Sequence, residues 1–470
     1  MKLNKVFLSV LFFNVVLFLT SCYILEPDYF WHVKAGQVMF NNGILTHDIF
    51  SWVLNGYYWM SHEWLFEIIL YIFKMLFGTY HVLVYSYICL FSLFFIIFTV
   101  NREKLSKNIF YTINYFVLVV TIYKDFIQAR PYLLSLSFIA LTVYLCLDLF
   151  KNEDSKKIYF LPLISILWAN IHGGSSNLSY TFCLIFLICG LFKFSFRKIE
   201  ATRLSKKQIL KYIAVIVLCA VGICINIHGY KMLLYPYVNI MDTTMINYIT
   251  EWQPTAIRGD VYHYIYFILI LFIGATMLFS SKKTRFVDLM VFGFVTYLGL
   301  SSIRFWIFLP IVMSFIIFDY VKKKKVSTPT ICVFSFLTFL ILGVGIYNIK
   351  NINLEYKLEL TDGVIKALKK EKPERLFNLY NNGGELIYHD IPVFIDGRAD
   401  LYSGKNLQEF FDIVNLDDKF FGLMEKYDFD YYLLTKDTAL GNFLLISSQH
   451  EIVYEDDYFV LFKTQKTVSE

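Results

Sequence analysis

The sequence predicts an α-helical polytopic membrane protein of about eleven transmembrane helices carrying a C-terminal external α/β domain, and three observations support this. The 470 residues are 57% hydrophobic, 19% aromatic and 17% charged, against roughly 45–50% apolar residues in a soluble globular chain. Apolar runs of spanning or near-spanning length recur at about 6–25, 79–100, 109–127, 131–150, 158–169, 177–195, 209–225, 262–280, 286–302, 305–320 and 328–347. The net charge of +5 divides sharply: residues 351–470 hold 13 Lys and Arg against 22 Asp and Glu, leaving −9 in the tail and +14 in residues 1–350. An acidic tail behind a basic, apolar body does not suit nucleic acid, and the natural neighbour of such a body is membrane lipid.

The basic residues orient the chain. If 63–77 does not span, segments 1–5, 101–108, 151–157, 193–211, 281–285 and 321–325 lie on one side with 22 Lys and Arg, against seven in the opposite loops up to 347. The positive-inside rule then places the N-terminus in the cytoplasm and the tail outside, in a multi-pass protein of the cytoplasmic membrane. Residues 1–347 form the membrane domain with a first outer loop at 26–78, and 348–470 form the external domain. Leu19-Thr20-Ser21-Cys22 resembles a lipoprotein processing site, and either fate of Cys22 leaves residue 26 outside. All eight cysteines fall in or beside apolar runs and none follows residue 347, so the tail has no disulfide framework and no Cys-x-x-Cys pair.

The first outer loop opens with Glu26-Pro27-Asp28-Tyr29-Phe30-Trp31-His32 and continues to Ser61-His62-Glu63-Trp64-Leu65. Tyr29 to Asn42 reads as a short helix begun after Pro27, with Asp28 as N-cap, and stopped at Gly43. On a helix over 63–77, Glu63, Glu67 and Lys74 fall within about 40° of one another, so the segment reads as amphipathic and lies along the membrane surface. Trp31, Trp52, Trp59 and Trp64 read as interface aromatics. Capping explains one acid of this loop but not Glu26, Asp48 and Glu63 as well, so the loop is the candidate catalytic region.

In this topology the remaining distinctive polar groups also face outward. They are Arg130 before Pro131, Glu251-Trp252, Arg304 beside Ser301 and Ser302, and two Asn-Ile-His-Gly tetrapeptides containing His172 and His228. Each tetrapeptide ends a helix, where Gly commonly takes a left-handed cap and His meets the negative dipole end. Arg130 and Arg304 suit either snorkelling or a lipid phosphate.

The tail alternates helices (362–370, 385–389, 405–414, 417–427, 437–446) with strands (375–380, 392–396, 431–435, 451–455, 458–463), turning at Asp456-Asp457. Its pointed stretch is Phe394-Ile395-Asp396-Gly397-Arg398-Ala399-Asp400-Leu401-Tyr402, read either as a ligand site at a strand's carboxyl end or as an Asp–Arg pair fixing a loop.

A first span, an outer loop opening on Glu26-x-Asp28 with two surface helices, many further spans and an outer C-terminal domain resemble the GT-C superfamily of membrane glycosyltransferases, which includes protein mannosyltransferases, aminoarabinose transferases and oligosaccharyltransferases. Asp28-x-x-Trp31-His32, Asp48-x-Phe50-Ser51 and His62-Glu63-Trp64-Leu65 also resemble uncharacterised bacterial members. The His-Pro-Pro signature of the mannosyltransferases and the Trp-Trp-Asp-Tyr-Gly motif of the oligosaccharyltransferases are both absent.

The resemblance implies transfer, with inversion, from a polyprenyl-phosphate-linked sugar to an envelope acceptor. Asp28 would be the general base, with Glu26, Glu63 and Asp48 as the other catalytic candidates. The substrate-binding candidates are His32, His62, Arg130, His172, His228, Glu251, Arg304, Asp396 and Arg398. A divalent cation on Glu26, Asp28, His32 and Glu63 is left open, because their spacing matches no metal motif. The competing classes are a transporter or flippase, which would carry ionisable groups at mid-membrane, and a non-catalytic assembly protein displaying the tail.

Overall fold

The computed structural model describes residues 26–105, 108–123, 126–256, 261–322 and 360–465. The runs at 6–25 and 328–347, Cys22 and Cys332 lie outside them. The chain resolves into two compact units, one of residues 1–24, 80–237 and 249–354, the other of 25–79, 238–248 and 355–470. The first outer loop thus belongs to the same unit as the tail.

The first unit is helical: α3 (His81–Leu105), α4 (Ile109–Tyr123), α5 (Tyr132–Lys151), α6 (Leu161–Ile171), α7 (Leu178–Cys189), α8 (Lys206–Ile223), α9 (Tyr230–Ile240), α11 (Val261–Phe279), α12 (Phe286–Ser301) and α13 (Phe308–Ser314). These follow the apolar runs closely, with two exceptions: α9 corresponds to none of them, and 305–320 breaks into α13 and a separate 3-10 turn at Ile317–Asp319. Among the described residues, two helical stretches are long and apolar enough to cross a membrane, Trp64–Leu105 and Tyr132–Lys151, with shorter apolar helices at Lys157–Ile171, Gly173–Cys189, His263–Phe279 and Phe286–Ser301.

Local chemistry sets the helix ends. Ser205 and Gln208 form a reciprocal capping box at the start of α8. Asp319 collects Lys104 at 2.6 Å, Lys151 at 3.1 Å and Arg285 at 3.2 Å, tying the ends of α3 and α5 to the start of α12. The basic inner segment expected at 193–211 contains a hairpin of β1 (Phe194–Phe196) and β2 (Ile199–Ala201), and β2 pairs in parallel with β3 (Thr284–Arg285).

The second unit is built from α1 (Asp28–Asn42), α2 (Trp64–Phe77), α10 (Thr243–Tyr248) and the tail elements α14 (Asp362–Glu371), β4 (Leu376–Asn378), α15 (Gly383–Tyr388), α16 (Ala399–Tyr402), α17 (Lys405–Val414), α18 (Phe420–Tyr427), β5 (Tyr431–Thr435), α19 (Ala439–Ile446), β6 (His450–Glu455) and β7 (Phe459–Thr464). Its sheet runs β4-β5-β7-β6, with β4 parallel to β5 and the other pairs antiparallel. One core serves loop and tail: Trp31, Ala35, Met39 and Trp59 pack with Val364, Leu368, Leu376, Leu386, Val393, Leu433 and Leu461. The tryptophans expected at a membrane interface are therefore core residues. Trp52 joins them in kind, standing over Phe394, Tyr427 and Phe429 and donating its indole N–H to the Leu376 carbonyl at 3.0 Å.

Of the segment 392–396, expected as a buried strand, residues 393–396 are buried and Pro392 is exposed, and none of it is a sheet strand. Its backbone bonds go instead to the Asn378 side chain, from Phe394 N and to Ile395 O at 2.8 Å each, and to the first loop, where Trp52 N donates to Val393 O at 3.0 Å. The polar stripe of α2 also points the other way from the sequence reading. Glu67 is fully buried against the protein and Lys74 reaches the Tyr388 hydroxyl, while Met75, Leu76 and Phe77 are exposed.

Beneath this join lies a sealed ionic triad. The Arg398 guanidinium donates to Asp48 Oδ1 at 2.5 Å and to Asp396 at 2.7 and 2.8 Å, with all three side chains fully buried. Phe50 and Trp59 present ring faces 5.2 and 4.7 Å from it. Removing one member of a buried ion network typically costs about 3–5 kcal/mol, because the remaining charge stays buried without compensation. Arg398→Met, which leaves two carboxylates facing one another, is expected to lower the thermal midpoint of the purified full-length protein far more than Asp48→Asn. Equal midpoints for wild type and Arg398→Met would contradict the assignment.

Candidate functional site

Helix α1 begins at Asp28 directly after Pro27, which occupies the cap position without a side-chain bond. Asp28 is thus not the N-cap expected from sequence. Its Oδ1 accepts from the Trp31 indole N–H at 3.2 Å, one turn on. The carboxylate lies against the backbone of Gly397, where an added methyl group would overlap Oδ1, and Gly384 likewise makes room for the Pro27 carbonyl. Two tail glycines therefore let the acidic opening of α1 press onto the tail.

Around it runs a chain of alternating carboxylates and imidazoles. Glu67 Oε1 is 3.5 Å from His32 Nδ1, and His32 Nε2 is 3.6 Å from Glu63 Oε2. Glu63 Oε1 is 3.0 Å from His62 Nε2, and His62 Nδ1 is 3.6 Å from Asp400 Oδ2. Gly36 lets α1 approach the Glu67 carbonyl, and Ser61 Oγ donates to Glu67 Oε2 at 3.2 Å. The His32 ring lies against Trp31 at 3.6 Å between centroids, tilted by 32°, which joins this chain to the side chain that holds Asp28. The inner end at Glu67 is fully buried and Glu63 is buried, whereas His62 and Asp400 are partly exposed.

Of the sequence candidates, Asp28, His32, His62 and Glu63 come together here. Glu26 is half-buried one residue before the Pro27 cap, and its carbonyl accepts from Tyr29 N at 3.0 Å. Asp48, Asp396 and Arg398 do not join as reactive or ligand groups. They are locked together out of solvent, and Asp48 additionally accepts from Phe50 N and Ser51 N. That corrects the catalytic reading of Asp48 and the ligand reading of the Asp396–Arg398 stretch: their chemistry is used in holding the loop. Glu67 and Asp400 were missed. The four-residue spacing of Glu63 and Glu67 was the available signal for Glu67, and Asp400 falls within the charged 394–402 stretch, where Asp396 and Arg398 drew the attention.

The other candidates lie in the helical unit. Arg130 Nη1 is 3.3 Å from Glu251 Oε2 and Arg304 Nη1 is 3.9 Å from Glu251 Oε1, so these three do converge. His172 is buried with Nδ1 at 2.8 Å from both Ser135 Oγ and Ser175 Oγ, hydroxyls that also accept from the Trp168 indole. His228 is buried, with its backbone N–H given to Asn226 Oδ1. The two Asn-Ile-His-Gly tetrapeptides form a mutual clasp: Asn170 Nδ2 donates to Ile225 O, and Asn226 Nδ2 donates to Ala169 O and Asn170 Oδ1. Gly229 takes the expected left-handed conformation at φ 56°, while Gly173 instead opens a 3-10 turn. The repeat is thus helix-end chemistry made reciprocal.

Among the described residues no three His, Cys, Asp or Glu side chains are grouped to hold a metal ion.

No family model matches the chain, and no curated protein matches it. Among solved structures its fold is similar to that of an Archaeoglobus fulgidus oligosaccharyltransferase, whose crystal structure carries a tethered acceptor peptide containing the NVT sequon. The likeness covers 91% of this chain and 69% of that one at a TM-score of 0.50 and 12% identity. At that identity it speaks for a shared fold and nothing finer.

The relay has an electrostatic consequence. Burial opposes charge on His62, but the Glu63 and Asp400 carboxylates outweigh it and push its pKa up from 6.5 to about 10. A group whose folded pKa is raised stabilises fully below its unfolded pKa and loses that contribution as pH climbs through the folded value. The stability gap between wild type and His62→Gln is therefore expected to be widest near pH 6 and to close towards pH 10, read by thermal unfolding across that range. A gap that does not change with pH would show that His62 carries no proton there.

Proposed function

We propose that the chain is a polytopic membrane glycosyltransferase moving a sugar from a polyprenyl-phosphate donor to an envelope acceptor on the outer face of the cytoplasmic membrane. The observation that carries this reading is that the half-buried Asp28 and the Glu63–His62–Asp400 chain belong to one body in which the first loop and the tail share a core. The fold likeness to an oligosaccharyltransferase is in keeping with it.

In this reading Asp28 takes the acceptor hydroxyl's proton as that oxygen attacks the anomeric carbon, and the donor phosphate leaves from the opposite face. Asp28 suits the task because it is half-buried and oriented by the Trp31 indole, and a positioned carboxylate is a competent base when the hydroxyl is brought within hydrogen-bond reach. His62 and Glu63 set the charge around it. Within the helical unit, Arg130 and Arg304 are the candidates for binding a donor phosphate, for which guanidinium forks are suited. The exposed apolar end of α2 (Met75, Leu76, Phe77) lies on the membrane surface.

Asp28→Asn tests the base. The amide oxygen can still accept from Trp31 and the side chain keeps its size beside Gly397, so folding is expected to be unchanged. An amide cannot take the proton, and general-base catalysis is typically worth roughly 10²- to 10⁴-fold. Mass spectrometry of envelope glycans and polyprenyl-phosphate sugars is expected to show a glycan lost and its donor accumulated, both in the variant and on deletion of the gene. Normal transfer in Asp28→Asn with loss in Glu63→Gln would move the base to Glu63. Normal transfer in both would remove the loop from the chemistry.

A further inference from the structure

Arg130, Glu251 and Arg304 form a compact ionic cluster in the helical unit. One carboxylate is shared between two guanidiniums, Oε2 to Arg130 at 3.3 Å and Oε1 to Arg304 at 3.9 Å. The arrangement leaves a net charge of +1. The Glu251 side chain is also the outermost of the three, 39% exposed against 16% for Arg130 and 26% for Arg304.

Neutral hydrogen bonds hold the backbone under this cluster without help from the ion pairs. Ser302 Oγ donates to Glu251 O at 2.8 Å, Ile303 N to Gln253 O at 3.2 Å, and Thr255 N to Leu300 O at 3.0 Å. The Trp306 indole donates to Thr255 Oγ1 and Gly299 O, and the Tyr85 hydroxyl donates to Arg130 O. The Arg304 guanidinium is held separately over the Trp252 ring, 4.5 Å from its centroid. Partly exposed ion pairs contribute little to stability, so fixing the fold is a weak reason for this one.

We infer that the cluster is a self-occupied anion site in which the Glu251 carboxylate stands where two oxygens of a phosphate ester bind. The planar guanidinium fork accepts carboxylate and phosphate oxygens with the same geometry. Phosphate brings more charge and a further oxygen, whereas Glu251 has the advantage of being tethered at high effective concentration. An arriving phosphate displaces the carboxylate, which swings outward on its pinned backbone while Trp252 keeps Arg304 in plane. Glu251 therefore sets the threshold for occupancy and is a competitor of the ligand, not one of its contacts. The inference deepens the donor-binding role proposed above and rests on that reading only for the identity of the natural ligand.

The sign of one substitution decides it. Native mass spectrometry of the purified full-length protein would follow binding of undecaprenyl monophosphate and, separately, of inorganic phosphate. Glu251→Gln removes the competing charge and is expected to tighten binding roughly three- to tenfold, whereas Arg130→Gln and Arg304→Gln weaken it by on the order of tenfold or more. Tightening for the lipid alone assigns a lipid headgroup, and tightening for both assigns phosphate wherever it comes from. Unchanged or weaker binding in Glu251→Gln overturns the inference, as does no binding of either probe to wild type and Glu251→Gln alike. Tightening with unaltered envelope glycans on gene deletion would remove the transferase reading and leave the anion site standing. Lost glycan without tightening would do the reverse.

Discussion

Everything in the second unit depends on where Arg398 is held. Its guanidinium is spent on Asp396, on its own strand-like segment, and on Asp48, 350 residues earlier in the chain. Two carboxylates on one cation leave an excess negative charge out of water, and backbone donors from Phe50, Ser51 and Arg398 together with the Tyr402 hydroxyl satisfy it. In a low-dielectric interior such a network is favourable only when every member is placed, so it works as a register mark more than as a source of net stability. Once Arg398 is seated, Asp400 two residues later is fixed opposite His62, and Gly397 one residue earlier is fixed beneath Asp28.

This arrangement separates two kinds of acid within one loop. Asp48 is neutralised and sealed, and its work is to keep loop and tail in register. Asp28 is half-buried and held by the Trp31 indole, and Glu63 lies between the His32 and His62 imidazoles. A loop of otherwise modest stability thereby gains a rigid backing, which a site needs if its groups are to stay within a fraction of an ångström of working geometry.

Much of the fold was legible from local pattern. The apolar runs gave the helices of the first unit except α9, and α14, α17, β5 and the closing hairpin β6-β7 appear within a few residues of the segments expected. What was not legible depends on partners distant in sequence. The segment 392–396 looks like a strand by composition, but its hydrogen bonds come from Asn378 and from the first loop. The Glu63–Glu67–Lys74 stripe was read as facing water, since polar residues on a helix usually do, yet α1 and the tail supply His32 and Tyr388 to meet it. Four tryptophans in an outer loop suggested a membrane interface, whereas three of them, Trp31, Trp52 and Trp59, pack into the tail. The acids of the site were visible individually. Sequence could not tell Asp48 from Asp28, because the difference lies in Arg398.

The central claim is that loop and tail fold as one cooperative body registered by Arg398. Hydrogen–deuterium exchange of the full-length protein in lipid nanodiscs tests it most directly, comparing amides at 48–59 with those at 393–402 and in β5. The account predicts that all three sets share one high opening free energy in the wild type, and that the first two lose protection together in Arg398→Met. Fast exchange at 48–59 beside a fully protected tail would contradict it, because the loop would then be an independent surface segment.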